Sequence, residues 1–169
     1  MNRLVVEGGA PLRGEVRLAG AKNTVSKLMV ASLLTGETCE FHNVPGIDDT
    51  RVTRLLCESL GARFTDVAPG VLQVRTPVLS QAEIPGDLAG QNRLSILMLG
   101  PMLHRLGRAV IPAAAGGDRI GPRPVDFHLE GFRRLGADVE IRDNTYFVRA
   151  DGLRGADIVL PYPSVTTTT

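Results

Sequence analysis

Apolar residues recur at helical spacing in four stretches of this chain. Two of the stretches are apolar on most faces, which predicts buried helices, and the other two are amphipathic. Each amphipathic stretch ends in Leu-Gly-Ala, and glycine is favoured directly after a helix because it adopts left-handed dihedral angles without strain. The predicted helices cover residues 22–34, 53–62, 91–103 and 129–137.

Short runs of β-branched and aromatic residues follow these helices in the same order in both halves of the chain. Each buried helix precedes one strand, and each Leu-Gly-Ala segment precedes a hairpin with a turn at Pro69-Gly70 or Asp143-Asn144. The pattern therefore predicts a repeated unit of strand, helix, strand, helix and two strands. The predicted strands are 38–41, 63–65, 71–74, 109–111, 138–141 and 146–148, with opening strands at 16–18, 82–85 and 157–160 and another at 1–7.

The opening strand at 157–160 would begin a third unit, but no helix pattern follows it. Four threonines, which have poor helix propensity, stand at the C-terminus instead. We therefore expect a chain that is cut inside its third unit.

Composition is that of an ordinary globular protein, with 43% apolar and 22% charged residues. A net charge of +1 argues against a nucleic-acid partner. No apolar run approaches the roughly 20 residues that span a bilayer, and the N-terminus lacks the apolar core of a signal peptide. We expect a cytoplasmic protein with no membrane partner. Cys39 and Cys57 fit neither a zinc site nor a disulfide framework and are predicted to be buried thiols.

Residues 116–128 hold two acids, two arginines, a histidine and three glycines. Glycines let backbone amides approach a ligand, and arginine binds phosphate or carboxylate at two points. Asp118, directly before the first of these arginines, is a candidate proton donor or acceptor. The alternative is a solvated turn before a helix that begins near Pro124, where Asp126 would simply complement the helix dipole.

Other predicted helix entrances also carry polar residues. Lys22 would oppose the dipole of its helix unless an anion bound there, although a solvated lysine is also compatible with the sequence. Arg93 occupies the matching entrance in the second unit, and Ser164 is a possible N-cap. We expect these entrances to converge on one polyanionic ligand. His104 and Arg105 are interpreted as charges that favour a helix C-terminus.

Taken together, these motifs resemble the N-terminal part of the UDP-N-acetylglucosamine 1-carboxyvinyltransferases, a family of enolpyruvyl transferases. The resemblance covers nearly the whole chain and implies an α/β fold, an inside-out barrel of βαβαββ units. Here the barrel would be incomplete, with about two of the three units of one domain. Residues 1–21 would belong to an absent second domain and 22–169 to the partial enolpyruvyl transferase domain. The matching segments are 14–16, 20–23, 43–45, 99–101, 116–128 and 135–137.

The resemblance implies transfer of the enolpyruvyl group of phosphoenolpyruvate to the 3-hydroxyl of UDP-N-acetylglucosamine, with release of phosphate, at the start of peptidoglycan precursor synthesis. It implies no cofactor and no metal. A carboxylate supplied by the missing C-terminal half acts on the sugar hydroxyl, so the isolated chain is expected to be inactive. By matching position, the catalytic residues would be Asp118, Lys22 and Arg123, and the substrate-binding residues Lys22, Asn23, Arg93, Arg123, Pro124, Val125, Asp126, Phe127, Ser164 and Val165.

Three positions depart from the family pattern. Asp118 stands where most members have a reactive cysteine, which predicts insensitivity to the alkylating inhibitor fosfomycin. Tyr162 stands where a substrate-binding lysine is often found, and Thr166 replaces a glycine. These departures leave other possibilities open: transfer to shikimate 3-phosphate or another nucleotide, an inactive module that binds UDP-sugars, or a structural fragment with no role of its own.

Overall fold

The computed structural model describes residues 3–9, 11–113 and 125–168. Its α-helices are α1 (Lys22–Ala31), α2 (Asp48–Ser59), α3 (Gly86–Ala89), α4 (Leu99–Leu106) and α5 (Asp126–Arg134), with 3-10 helices at Ser32–Leu34 and Arg93–Met98. The strands are β1 (Thr38–Phe41), β2 (Arg63–Ala68), β3 (Val71–Arg75), β4 (Arg108–Pro112), β5 (Asp138–Arg142) and β6 (Thr145–Arg149).

The six strands among the described residues form two antiparallel sheets with the same topology, in the order β1-β3-β2 and β4-β6-β5. In both sheets the second strand of the hairpin lies in the centre and pairs with the strand that precedes the unit's second helix. The registers also correspond, since Thr38 faces Arg75 in one sheet and Arg108 faces Arg149 in the other. The predicted repetition of the hairpin units is confirmed.

Both Leu-Gly-Ala segments end their helices as predicted. Gly61 and Gly136 adopt positive φ angles of 106° and 94°. The amides of Ala62 and Ala137 then donate to carbonyls in the preceding helical turn at 3.1 and 2.9 Å. This pattern provides partners for carbonyls that would otherwise be left without one at a helix C-terminus.

Of the predicted opening strands, only the one at 82–85 is found, in shortened form. The amide of Val110 donates to the carbonyl of Ala82 at 2.7 Å, and the amide of Ile84 donates back to Val110 at 3.0 Å, which makes a parallel bridge beside β4. The strands predicted at 16–18, at 157–160 and over the described part of 1–7 are wrong. Strand geometry requires a hydrogen-bonded neighbour, and no described strand pairs with these segments.

The predicted helices differ from the observed ones in their bounds. The helix predicted from residue 129 begins at Asp126, and α1 ends at Ala31, where a 3-10 turn follows. The helix predicted from residue 53 begins at Asp48, and the one predicted over 91–103 starts as a 3-10 helix and becomes α-helical only at Leu99. The change occurs next to Pro101, which has no amide proton for an α-helical hydrogen bond to the preceding turn. The side chain of Asn92 accepts a hydrogen bond from the Leu94 amide at 3.0 Å and so caps the 3-10 helix.

The hydrophobic core lies between helices α1, α2 and α4 and the inner faces of the two sheets, with Met29, Leu56 and Met102 fully buried. Cys57 belongs to this core, where burial raises the pKa of its thiol. Cys39, predicted to be buried, is only half-buried because it lies on an edge strand. Within the described ranges, no helix combines the length and the apolar character needed to cross a membrane.

Candidate functional site

The predicted site residues divide into three sets. Asp118, Arg123 and Pro124 lie outside the described residues. Lys22 and Asn23 open α1, and a larger set gathers where α5 begins. The members of this larger set are Arg93, Val125, Asp126, Phe127, Ser164 and Val165.

The chain enters α1 through a close backbone contact. The space that a side chain at Gly20 would occupy is filled by the carbonyl of Asn43, which itself has a positive φ of 57°. This contact brings together two of the segments that carried the family resemblance. The N-cap residue Ala21 makes no side-chain hydrogen bond, and its carbonyl accepts hydrogen bonds from the amides of Thr24 at 3.2 Å and Val25 at 3.1 Å.

Lys22 forms an ion pair with a residue that the sequence reasoning missed. Its Nζ lies 2.7 Å from Oδ2 of Asp49, in the first turn of α2. The two helix N-termini are therefore adjacent, and Asn23 is exposed beside them. The Asp48-Asp49 pair directly after the extended residue Ile47 was the available signal, since acids are favoured in a first helical turn.

Where α5 begins, two contacts join it to the C-terminal residues of the chain. The rings of Phe127 and Tyr162 pack edge to face, with centroids 4.9 Å apart and planes inclined at 62°. Nε2 of His128 lies 2.8 Å from the carbonyl oxygen of Thr166. The end of the chain is thereby held against the predicted binding segment, and Asp126 is exposed in the first turn of α5.

Ser164 opens a single helical turn. Its Oγ accepts a hydrogen bond from the Thr167 amide at 3.4 Å, and its carbonyl accepts one from the Thr168 amide at 3.2 Å. This geometry is the one expected of the predicted N-cap. Val165 is 78% exposed at the turn.

His128 links this cluster to the 3-10 helix that begins at Arg93. Because Nε2 donates to a carbonyl, Nδ1 is an acceptor, and it is buried without a hydrogen-bond partner. Burial lowers the pKa of His128, and the charge of Arg93 lowers it further, whereas the Thr166 carbonyl and Asp126 oppose the shift. The start of α5 and the Ser164 turn therefore lie side by side, and Arg93 is near enough for its charge to act on His128.

A cavity of about 690 Å³ extends from this cluster to α1. Its wall is mainly apolar, formed by α1, α4, α5 and the C-terminal residues, with Lys27, His104 and His128 as polar members. A second cavity, of about 500 Å³, lies beside α2. There Arg51 pairs with Asp48, and Arg54 pairs with Asp66, each at 2.8 Å, so these charges already have partners.

The arrangement suits an anionic ligand. Lys22 at the start of α1 and Arg93 at the start of the 3-10 helix are cationic side chains, and guanidinium groups bind phosphate oxygens at two points. No group of three or more metal-ligating side chains was found in the part of the chain that the structure describes.

A family model described as EPSP synthase (3-phosphoshikimate 1-carboxyvinyltransferase) matches residues 6–169. Two curated relatives are named UDP-N-acetylglucosamine 1-carboxyvinyltransferase. The protein from Protochlamydia amoebophila is 46% identical over 99% of this chain, and the one from Gloeobacter violaceus is 47% identical over 98%. The chain spans only 37% and 36% of the lengths of these relatives.

Solved structures give the same picture of the fold. The enolpyruvyl transferase NikO from Streptomyces tendae superposes with a TM-score of 0.74 at 25% identity, over 87% of this chain and 32% of its own. EPSP synthase from Acinetobacter baumannii superposes with a TM-score of 0.67 at 14% identity, over 91% of this chain and 36% of its own. The chain therefore has an enolpyruvyl transferase fold.

Proposed function

The chain belongs to the EPSP synthase (3-phosphoshikimate 1-carboxyvinyltransferase) family, and from this premise we propose that it forms part of an enzyme acting on UDP-N-acetylglucosamine. That enzyme transfers the enolpyruvyl group of phosphoenolpyruvate to the 3-hydroxyl of the sugar and releases phosphate. We choose this acceptor because the chain is 46% identical, over almost its whole length, to a UDP-N-acetylglucosamine 1-carboxyvinyltransferase.

The donor would bind at the start of α1. Lys22 and Arg123 hold the phosphate and carboxylate of phosphoenolpyruvate, with Asn23 beside them. Asp118 donates a proton to C3 while the sugar oxygen bonds to C2 and its proton passes to the carboxylate of the second domain. C3 then returns a proton to the Asp118 carboxylate as phosphate leaves. The position of Lys22 at a helix N-terminus supports this assignment, because the charge of a bound anion offsets the unfavourable interaction of the lysine with the dipole.

The acceptor would bind where α5 begins. Arg93 lines the substrate site with Asn23. Residues 123–127 bind the UDP-sugar, and Ser164 with Val165 binds its uridine diphosphate end. The contact of 2.8 Å between His128 and the Thr166 carbonyl supports the proposal, because it brings the Ser164 turn beside α5.

The chain would supply two of the three units of an inside-out barrel, with residues 1–21 belonging to a second domain. The assignment of residues 1–21 to a second domain is supported by the exposure of Leu4 (89%), Val16 (85%) and Leu18 (82%), since large apolar residues are usually covered in a complete fold. The second domain would complete the active site. The reaction would serve peptidoglycan synthesis in the cytoplasm, and through the cell wall it would affect cell shape and division.

Titration of the isotope-labelled chain with UDP-N-acetylglucosamine, followed by amide chemical shifts, tests the acceptor. We expect shifts in the first turn of α5 and at 164–168, and none there with shikimate 3-phosphate. The reverse result would assign the chain to the other acceptor. In a phosphate-release assay with both substrates, the chain alone should show no turnover.

A further inference from the structure

The ion pair between Lys22 and Asp49 joins the N-terminal ends of two helices through atoms 2.7 Å apart. The side chains are 58% and 36% exposed, so water screens their attraction. Ion pairs of this kind contribute little to the stability of a fold. Its main effect is therefore on the position of the lysine ammonium.

Asp49 is the better-fixed member of the pair. Its short side chain lies in the first turn of α2, where free amides attract a negative charge. Lys22 has a long, flexible side chain, and it begins a helix whose dipole repels its charge. The carboxylate accordingly restrains the position of the ammonium.

We propose that Asp49 is a positioning residue for Lys22. It holds the ammonium beside the start of α1, where the phosphate or carboxylate of an enolpyruvyl donor would bind. The identity of that ligand rests on the proposed function, whereas the restraint on Lys22 does not. A lysine that is already ordered binds an anion without giving up further side-chain freedom.

A role for Asp49 as a competitor of the ligand would have the opposite effect on anion binding. If Asp49 merely competed with a ligand for the ammonium, removal of its charge would strengthen anion binding at Lys22. If it positions Lys22, removal of the charge weakens that binding.

The chain offers a matched control in Asp48. This residue also lies in the first turn of α2, but it pairs with Arg51 at 2.8 Å. Asp48→Asn and Asp49→Asn therefore remove the same favourable charge from the helix terminus, and only the second removes the ion pair with Lys22. Lys27 is the only other lysine in the sequence, so it serves as an internal reference for amine labelling.

The first measurement is the ratio of acetic anhydride labelling at Lys22 to that at Lys27, read by peptide mass spectrometry without ligand. Asp49→Asn should raise this ratio roughly two- to fivefold, the range expected for loss of an exposed ion pair. Asp48→Asn should leave it unchanged. Equal ratios in the two variants would overturn the inference.

The second measurement is the protection of Lys22 by phosphoenolpyruvate. Asp49→Asn should need more phosphoenolpyruvate for half-protection than Asp48→Asn, with Asp49→Glu in between. Half-protection at an equal or lower concentration would overturn the positioning role. Failure to protect Lys22 in the unsubstituted chain counts against the proposed function alone, and the ligand-free ratio then decides the role of Asp49.

Discussion

The guanidinium of Arg105, at the end of α4, donates a hydrogen bond to the carbonyl of Leu33 at 3.0 Å. Leu33 lies at the corresponding place in the first unit, where the chain leaves its buried helix. The same side chain donates to the carbonyls of Thr35 at 3.3 Å, Thr76 at 2.8 Å and Pro77 at 2.8 Å. Arg105 is thus more than a charge that complements a helix dipole, as the sequence suggested, because it connects the two repeated units.

Replacing Arg105 with lysine should destabilise the fold by about 2–3 kcal/mol. The lysine ammonium is a point charge, and it cannot contact all the carbonyls that the planar guanidinium of arginine reaches. The measurement is the free energy of unfolding in urea. Arg134→Lys is the control, since Arg134 is exposed and pairs only at the surface with Glu130. Equal losses in the two variants would contradict a connecting role for Arg105.

The two glycines that follow α2 and α5 should respond differently to alanine. Gly136→Ala should cost about 1–2 kcal/mol, the penalty for a side chain at positive φ. Gly61→Ala should cost roughly 1 kcal/mol more, because its Cβ would lie 2.8 Å from the carbonyl oxygen of Val78. Thermal unfolding of both variants measures the difference. A larger loss of stability in Gly136→Ala than in Gly61→Ala would contradict the contact between Gly61 and the Val78 carbonyl.

Stability should fall on acidification because of His128. Its lowered pKa means that the folded state favours the neutral ring. This contribution is complete above the ordinary histidine pKa of about 6.5 and is lost as the pH falls through the lower pKa of the folded state. His128→Gln should flatten the dependence of unfolding free energy on pH between those values. The control, His104→Gln, makes the same substitution at an exposed histidine.

Fosfomycin should form no adduct with the chain at position 118. A carboxylate is a weaker nucleophile than a thiolate, and Cys57 is buried in the core. Intact mass and peptide mapping after incubation test this directly. Asp118→Cys should gain a single adduct at that residue if the site binds the inhibitor. Modification of Asp118 itself would count against the expectation.

Features governed by neighbouring residues were predictable from the sequence. Glycine after a helix and the Asp143-Asn144 turn, with φ angles of 46° and 57°, need only local dihedral preferences. The strand predictions at 16–18 and 157–160 were wrong because a hydrophobic pattern does not indicate whether a partner strand is present. The 3-10 helix was missed because Pro101 was treated as compatible with a continuous α-helix.

In the candidate site, too, local features were predictable and contacts between distant residues were not. Lys22 was assigned to a helix entrance correctly, because the Gly-Ala-Lys-Asn motif is a local signal. Its partner Asp49 comes from another helix, and the contact between His128 and Thr166 joins residues far apart in sequence. Such pairs depend on how the units pack, which periodicity cannot indicate.

The parallel bridge at Glu83 covers the outer edge of β4, whereas nothing in the described ranges pairs with the corresponding edge of β1. An unprotected row of amides and carbonyls can recruit a strand from a neighbouring molecule. At high concentration the chain should therefore self-associate along β1, through backbone hydrogen bonds and with its own core intact.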